Sequence, residues 1–391
     1  MADQTSFPRV FALWAAGLGA AAQYGKMSVI FDLLPKIYPQ AGASLGFLVS
    51  MVGGVGILLG VVAGLVVARI RYRRALLFAL WLGAAVSAFQ AVLPDFGWML
   101  ASRVVEGLSH LAIVVAAPTL IAQLSTVKDR GFTLTLWGTF FGVAFAILTL
   151  IGRPLALTWG VPALFAVHAL YMAGCALVLS GSLRSLPDEG PQSPFSLPQI
   201  LRDHLAIYRS PFLSAPAAGW LFYTFSFVSI LTVLPPYLSE AWRAVTMAAM
   251  PLTSIAVSMT IGVALLRRLP AVSVVQTGFA LSALSMLWLW LAPGTPLACL
   301  ALAAAMGLIQ GASFTAVAQL NSGPAAQAQA NGAVAQMGNL GNSLGTPVMA
   351  FGLASFGGAA LPLLAGGAFA MGLVAHLLLG AARRRSRRVP V

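Results

Sequence analysis

Arg103, Glu106 and His110 stand at positions i, i+3 and i+7 of one long apolar stretch. Because a helix repeats every 3.6 residues, this spacing places the three side chains on one helical face. A carboxyl group beside a guanidinium, with an imidazole one turn away, is a set of groups suited to proton transfer. We predict that Glu106 takes part in proton coupling and that Arg103 tunes it. The alternative is a fixed ion pair that holds the helix in its bundle, with His110 as a packing residue.

Lys26 and Asp32 bring two further charges into the first apolar run. Their spacing separates them by roughly 120° around a helix, so they do not neutralise each other directly. Lys26 is predicted to anchor an anionic group of a substrate, or else to pair with Glu106 across the bundle. Asp32 is either a second proton-coupling group or an outer-gate partner of Lys36 or Arg153.

The C-terminal half offers amides where the N-terminal half offers charges. Neutral amides can hold a polar substrate without counter-ions. Alternatively, they join membrane helices at seams of small residues, such as Gly338, Gly341 and Gly345. Aromatic side chains are candidates for the walls of a cavity, with packing as the alternative. Besides Lys26, the predicted substrate-binding residues are Tyr24, Tyr223, Gln310, Phe314, Gln336 and Asn339.

The composition requires a lipid environment for these residues. Hydrophobic residues make up 59% of the chain and charged residues 8%, whereas a water-soluble domain has about 25% charged residues. A helix needs about 20 apolar residues to cross the bilayer, and continuous rather than alternating runs favour helices over a barrel. The sequence contains roughly twelve such runs, near residues 12 to 35, 45 to 68, 75 to 94, 98 to 122, 132 to 152, 161 to 181, 212 to 236, 246 to 266, 271 to 292, 296 to 320, 331 to 353 and 360 to 381.

Local similarities indicate that one half of the chain repeats the other. The segment from Asp32 to Pro35 resembles the segment from Thr232 to Pro235, about 200 residues later. We therefore predict an all-α integral membrane protein whose twelve transmembrane helices form two pseudo-symmetric six-helix bundles. The predicted domains are an N-terminal bundle at 1–183, a cytoplasmic linker with a short surface helix at 184–210, and a C-terminal bundle with a basic tail at 211–391.

The basic residues that give the chain its net charge of +13 are distributed in accordance with the predicted topology. Nearly all arginines and lysines fall in loops on one side of the membrane, and only Lys36 and Arg243 fall clearly on the other. By the positive-inside rule, both termini and the linker are cytoplasmic. We expect a multi-pass protein of the inner (cytoplasmic) membrane, a monomer whose partners are the lipid bilayer, protons and a small-molecule substrate, and not nucleic acid.

Several chemistries find no support in the sequence. There is no GxxxxGK phosphate loop for ATP, the four histidines and two cysteines are not at metal-ligand spacing, and no nucleophile has a base and an orienting acid. We therefore expect no enzymatic activity, no cofactor and no bound metal.

The two repeated sixes and the loop after the second run resemble the major facilitator superfamily. The family pattern GxxxDRxGRR corresponds here to the stretch from Gly64 to Arg74, with Ala68 in place of the acid and Arg71 in place of the second glycine. The resemblance implies a gating role for Gly64, Arg69 and Arg73. Arg103 to Gly107 is similar to the family's RxxxG motif, a neighbour of its proton site.

The antiporter motif GxxxGPxxG is interrupted in the fifth run, where Arg153 stands between Gly152 and Pro154. The segments 103–118 and 332–347 are similar to the cyanate-permease-like branch of the superfamily. The resemblance and the buried charges together favour a proton-coupled secondary active transporter that takes up a small polar or anionic organic solute by alternating access, a symporter. The alternative is proton-driven efflux of drugs or metabolites.

Overall fold

The computed structural model describes residues 4–58, 71–126, 128–184, 197–322 and 324–386. The regular structure in these ranges is helical throughout. Apolar runs form helices because a lipid-embedded backbone must satisfy its N–H and C=O groups within its own segment. Within the described ranges, nine helical stretches have the length and composition to cross a membrane, and the last one contains two helices in series.

Contacts between residues divide the chain into two compact units, which comprise Met1–Gly42 with Met51–Phe195, and Ala43–Ser50 with Ser196–Val391. We number the helices in chain order. Those of the N-terminal half are α1 (Phe7–Ser28), α2 (described over Gly42–Leu58), α3 (Tyr72–Gln90), α4 (Phe96–Gln123), α5 (Arg130–Gly138 continued by Phe140–Trp159) and α6 (Val161–Ser182). The seventh helix, α7 (Leu197–Arg209), lies in the predicted linker, of which residues 185–196 are outside the described part.

The first unit is organised around α1. This helix contacts α4, α5 and α6, and α3 packs against both α4 and α6. Leu13, Leu76 and Ile113 belong to the apolar core where these helices meet. The chain passes from α5 to α6 through Gly160, whose φ of 86° is readily adopted by glycine. The core thereby encloses one long face of α1 and one of α4.

Helix α5 is interrupted by a π-helical turn at Leu148–Gly152. A second π-helical turn, Ser258–Gly262, interrupts α9 in the other half of the chain. Such turns insert one residue into the helical ladder and change the direction of the side chains that follow. In α5, Arg153 follows directly after this turn.

The helices of the second unit repeat the helical pattern of the first. They are α8 (Ser214–Val233), α9 (Glu240–Leu266), α10 (Ala271–Leu291), α11 (Pro296–Leu320), α12 (Pro324–Phe356) and α13 (Ala360–Ser386). The most extensive packing joins α8 to α12. It is close because Gly341 and Gly345 on α12 lie directly against the backbone of α8 at Leu221 and Phe225.

A histidine lies fully buried in the second unit. His376 on α13 packs against the ring of Phe279 on α10, with ring centroids 5.9 Å apart. Its Nε2 lies directly over the α-carbon of Gly219 on α8, where any side chain would collide with the imidazole. Neither ring nitrogen has a hydrogen-bond partner among the described residues.

Candidate functional site

A cluster of three buried charges occupies the centre of the first unit. Glu106 on α4 accepts a hydrogen bond from Lys26 on α1, with 2.6 Å between Nζ and Oε1. Arg103, one turn earlier on α4, pairs with Oε2 of the same carboxylate. All three side chains have 0% of their surface exposed. The structure thus brings together three of the predicted site residues. Lys26 pairs with Glu106, which is the second of the two alternatives predicted for it.

Both oxygens of the Glu106 carboxylate face hydrogen-bond donors. The amide of Gln90 on α3 donates to Oε2 at 2.9 Å and to the hydroxyl of Ser102 at 2.9 Å. Arg103 also donates to the main-chain carbonyl of Gln23. Because ammonium, guanidinium and amide groups all point at this carboxylate, its ionised form is the one that the surroundings satisfy.

Lys26 has two acceptors besides Glu106. Its Nζ lies 2.6 Å from Oγ of Ser87 on α3 and 3.3 Å from Nδ1 of His168 on α6. The ring of Phe165 lies below the ammonium, 5.4 Å from Nζ to the centroid, which is a cation–π distance. Three helices, α3, α4 and α6, therefore supply the groups around this ammonium on α1.

The buried charges of the cluster do not cancel. Lys26 and Arg103 carry two positive charges and Glu106 one negative charge. Among the charged side chains of the first unit whose burial the structure describes, no other is buried. A buried charge without a counter-ion is costly in a membrane. An excess of one positive charge at this depth attracts an anion.

His110 lies beside the cluster rather than in its hydrogen-bond network. Its Nδ1 is 3.0 Å from the carbonyl oxygen of Ala20 on α1, so this nitrogen carries the proton and donates. The ring of Tyr24 packs edge-on against it at 5.1 Å and also contacts Phe141 on α5 at 5.8 Å. Both predicted site residues, His110 and Tyr24, thus pack where α1, α4 and α5 meet.

Asp32 lies apart from this cluster. It is on a short 3-10 turn, Phe31–Leu33, and pairs with Arg153 on α5 at 2.7 Å. The side chains of Asp32 and Arg153 are 32% and 19% exposed. Asp32 therefore pairs with Arg153, one of the two outer-gate partners predicted for it.

In the second unit, two of the predicted substrate-binding amides form hydrogen bonds within that unit. Gln336 accepts a hydrogen bond from the phenol of Tyr208 on α7, with 2.6 Å between the oxygens. Burial raises the pKa of Tyr208 to about 12, so this phenol remains a donor at neutral pH. Asn339 donates to the carbonyl of Ala335 on its own helix at 3.0 Å. Gln310 on α11 is half-buried.

Two of the predicted aromatic residues meet at Trp220 on α8. Tyr223 is buried and stacks on this indole, with centroids 4.6 Å apart. Phe314 on α11 packs edge-on against it at 4.9 Å and keeps 49% of its surface exposed. The indole therefore links α8 and α11 in one aromatic group within the second unit.

Of the predicted gating residues, Gly64 and Arg69 lie outside the described residues. Arg73 lies in the first turn of α3 and donates to the carbonyl of Ser180 on α6 at 3.4 Å. Arg71, which replaces the second glycine of the family pattern, has a φ of 76°. This backbone region is favourable for glycine and strained for arginine.

Sequence reasoning missed four members of the ionic cluster: Gln23, Ser87, Gln90 and His168. Ser87 and Gln90 had a usable signal, because polar residues at i and i+3 share one face of an apolar helix. His168 was interpreted only as an isolated histidine. Its role depends on α6 packing beside α1, which no local pattern reports.

Comparisons with known proteins agree with this architecture. The sequence profile of the Major Facilitator Superfamily matches residues 11–346. The niacin transporter NiaP of Acinetobacter baylyi is 30% identical over 144 residues, 36% of this chain and 32% of the relative. YbcL, an MFS-type transporter of Bacillus subtilis, is 24% identical over 166 residues, 42% of this chain and 41% of the relative. The chain thus spans less than half the length of these curated relatives.

Solved structures of transporters share the fold over nearly the whole chain. A bacterial homologue of the human lysosomal transporter Spinster, in an inward-facing and occupied conformation, has a TM-score of 0.77 at 14% identity and covers 98% of both chains. The human organic anion transporter MFSD10 has a TM-score of 0.69 at 18% identity, covering 95% of this chain and 100% of its own. The predicted fold class and superfamily are confirmed, whereas the cyanate-permease-like branch stays a prediction. The chain belongs to the Major Facilitator Superfamily and is a multi-pass membrane transporter rather than an enzyme.

Proposed function

We propose that this transporter is a proton-coupled symporter that takes up a small polar or anionic organic solute, with a monocarboxylate as the best-matched class. The carrying observation is the buried contact between Lys26 and Glu106, 2.6 Å from Nζ to Oε1, with Arg103 on the same carboxylate. This arrangement supplies an excess cation for the substrate and a carboxylate for the proton.

The proposed coupling is an exchange of partners at Lys26. A substrate carboxylate takes the place of Glu106 beside the ammonium, and Glu106 accepts a proton as it loses that contact. One negative charge arrives with the substrate and one is removed by the proton, so the net charge of the cluster stays constant. Holding it constant avoids the cost of a further uncompensated charge in the membrane. The expected stoichiometry is one proton for each monovalent anion.

The relatives supply a first substrate to test. One curated relative is named as a niacin transporter, and niacin is a small aromatic monocarboxylic acid. It therefore fits a site with one excess positive charge. Nicotinate and a set of other small carboxylates are the appropriate probes, together with a neutral amide and a quaternary amine of similar size.

The remaining parts of the proposal concern the surroundings of the cluster. We propose that Gln310, Gln336 and Asn339 contact polar groups of the substrate, with Tyr24, Tyr223 and Phe314 as aromatic contacts. We also propose Asp32 and His110 as secondary proton-coupling groups, and Gly64, Arg69 and Arg73 as gating residues. The protein is proposed to be a monomer with domains at 1–183 and 211–391.

The basic residues support a topology in which both termini and the linker 184–210 are on the cytoplasmic side of the inner membrane. Single cysteines introduced at Lys36 and Arg243 provide a test, with Arg184 as the cytoplasmic comparison. A membrane-impermeant thiol reagent applied to intact cells should label the first two and spare the third. Labelling of position 184 alone would reverse the topology.

The decisive experiment is transport into proteoliposomes with independently set gradients. A lumen one pH unit more alkaline than the outside should drive accumulation of the carboxylate up to roughly tenfold, the limit for one proton per anion. A membrane potential imposed with potassium and valinomycin, without a pH gradient, should drive none. Accumulation driven by the potential alone, or transport confined to the quaternary amine, would contradict the proposal.

Glu106→Gln separates coupling from binding. This variant should lose accumulation driven by the pH gradient and retain exchange of labelled for unlabelled substrate at equilibrium. Glu240→Gln is the matched control, because Glu240 is an exposed acid at the start of α9. If Glu106→Gln accumulates substrate like the wild type, the proton site lies elsewhere, and Asp32→Asn is the next variant to assay.

A further inference from the structure

The acceptors that Lys26 has besides Glu106 form a small chain of their own. Oγ of Ser87 lies 2.6 Å from Nζ of Lys26 and 2.6 Å from Nδ1 of His168. The ammonium has only donors, so it donates to the serine oxygen. The serine hydroxyl then donates to Nδ1, which is itself 3.3 Å from Nζ.

The tautomer of His168 follows from its other nitrogen. Nε2 lies 3.0 Å from the carbonyl oxygen of Gly19, which can only accept. Nε2 therefore carries the proton of the neutral ring, and the lone pair of Nδ1 faces Ser87 and Lys26. The hydrogen bond from Nε2 to the Gly19 carbonyl on α1 thus keeps Nδ1 unprotonated, so that Nδ1 can act as a hydrogen-bond acceptor beside the ammonium.

We propose that His168, acting with Ser87, is a positioning residue that holds the Lys26 ammonium while Glu106 is protonated. This inference rests on the proposed function, in which Glu106 takes up a proton. It gives residues of α3 and α6 a role in coupling, in addition to the charged residues of α1 and α4.

The physical reason is the fate of Lys26 at that step. While the substrate carboxylate takes the place of Glu106, the ammonium is between two ion-pair partners, and Arg103 still lies nearby in the same buried cluster. The serine oxygen and Nδ1 of His168 remain as acceptors without any change of position. Without them, the buried ammonium would be poorly bonded during this exchange of partners, which is costly.

The sign of the effect follows from the groups that face His168. Lys26 on α1, Ser87 on α3 and the Arg103–Glu106 pair on α4 are the charged or polar groups around Nδ1. Without the acceptor Nδ1 of His168, the Lys26 ammonium bonds more strongly to Glu106. Glu106 therefore takes up its proton less readily. Proton-driven uptake then requires a lower external pH.

The test measures the pH dependence of uptake in proteoliposomes for three variants. His168→Leu removes the acceptor at similar volume, and Ser87→Ala removes the bridging hydroxyl. Both should shift the half-maximal pH of uptake about one unit toward acid, the equivalent of one lost hydrogen bond to a charged group. His168→Gln offers a carbonyl oxygen to Lys26 and should restore most of the wild-type profile.

The control is His204→Gln, because His204 lies on α7 in the second unit and packs against Tyr208. Its pH profile should match the wild type. An unchanged profile in both Ser87→Ala and His168→Leu would overturn the inference, as would a His168→Gln shift equal to that of His168→Leu. If His168→Leu does not fold, Ser87→Ala and His168→Gln still decide the matter.

Failure of this inference differs from failure of the proposed function. If wild-type protein shows no accumulation driven by a pH gradient, the proposed function itself is wrong. If wild-type protein is coupled and the variants keep its pH profile, only the positioning role of His168 and Ser87 is wrong.

Discussion

Arg153 holds both carboxylate oxygens of Asp32, with Nη1 2.7 Å from Oδ1 and Nη2 2.8 Å from Oδ2. The same Nη1 also donates to the carbonyl of Val29 at 2.7 Å. The guanidinium therefore ties α5, directly after its π-helical turn, to the end of α1. The arginine that interrupts the glycine and proline motif thus bridges α5 and the end of α1.

The Asp32–Arg153 pair should show a modest coupling energy. Both side chains are partly exposed, so Asp32→Asn, Arg153→Gln and the double variant should give a coupling of about 0.5–1 kcal/mol. Thermal unfolding in detergent, analysed as a double-mutant cycle, is the measurement. A coupling near zero would show that the pair makes no energetic contribution.

Removal of Glu106 should destabilise the protein more than removal of Lys26. Glu106→Gln leaves two buried cations without their carboxylate, at a cost of about 3–5 kcal/mol. Lys26→Met leaves Arg103 and Glu106 paired, so its cost should be smaller. The double variant Lys26→Met/Glu106→Gln should be more stable than Glu106→Gln alone. Melting temperatures of the three variants at one pH test this order, and the reverse order would contradict the charge balance assigned to the cluster.

The close approach of α8 and α12 should not tolerate a methyl group at Gly345. A Cβ there would meet the carbonyl of Phe225, a backbone atom that cannot move aside. We expect Gly345→Ala to cost about 1–3 kcal/mol. Gly332→Ala on the same helix is the control, since a Cβ at Gly332 would have no neighbour within 4 Å. Equal melting temperatures for the two variants would contradict the close packing of α8 against α12 at Gly345.

The hydrogen bond from Tyr208 to Gln336 should have a defined pH window. Burial raises the pKa of Tyr208 to about 12, from the ordinary value of about 10 for a tyrosine phenol. The stabilisation linked to the neutral phenol is thus complete below about pH 10 and is lost as the pH rises toward 12. Tyr208→Phe should cost about 0.5–1.5 kcal/mol at pH 8. The difference in free energy of unfolding between this variant and the wild type should stay constant up to pH 10 and become smaller above it. Thermal unfolding across that pH range can measure this.

Arg71→Gly should relieve backbone strain at the start of α3. Arg71 has a φ of 76°, where a side chain costs roughly 1–2 kcal/mol and glycine costs little. Arg74→Gly is the control, because Arg74 is an exposed residue within the helix and glycine there should destabilise by about 1 kcal/mol. If both variants are destabilised equally, the strain at position 71 is offset by contacts of the arginine.

The sequence predicted the helices well because their signal is local. Each apolar run is long enough to span a bilayer, and a lipid-embedded backbone has few alternatives to a helix. The shared face of Arg103 and Glu106 was predictable for the same reason, since it depends only on helical periodicity. Their mutual contact is what the structure shows on α4.

The surroundings of those charges were not predictable in the same way. Whether Lys26 faces substrate or Glu106 depends on the rotation of α1 against α4, and the participation of Ser87 and His168 depends on which helices are neighbours. These are properties of packing between segments far apart in the chain. A single sequence carries no direct signal for them, so the contacts of Lys26 with Glu106 and of Asp32 with Arg153 became visible only in three dimensions.

The contact between Gly219 and His376 should make these two positions change together in evolution. The imidazole fills the space that any Cβ at 219 would occupy. Relatives that carry alanine or a larger residue at 219 should therefore carry a smaller side chain at 376, and chains with histidine at 376 should carry glycine at 219. A covariation of this kind would identify the α8–α13 crossing in sequences alone.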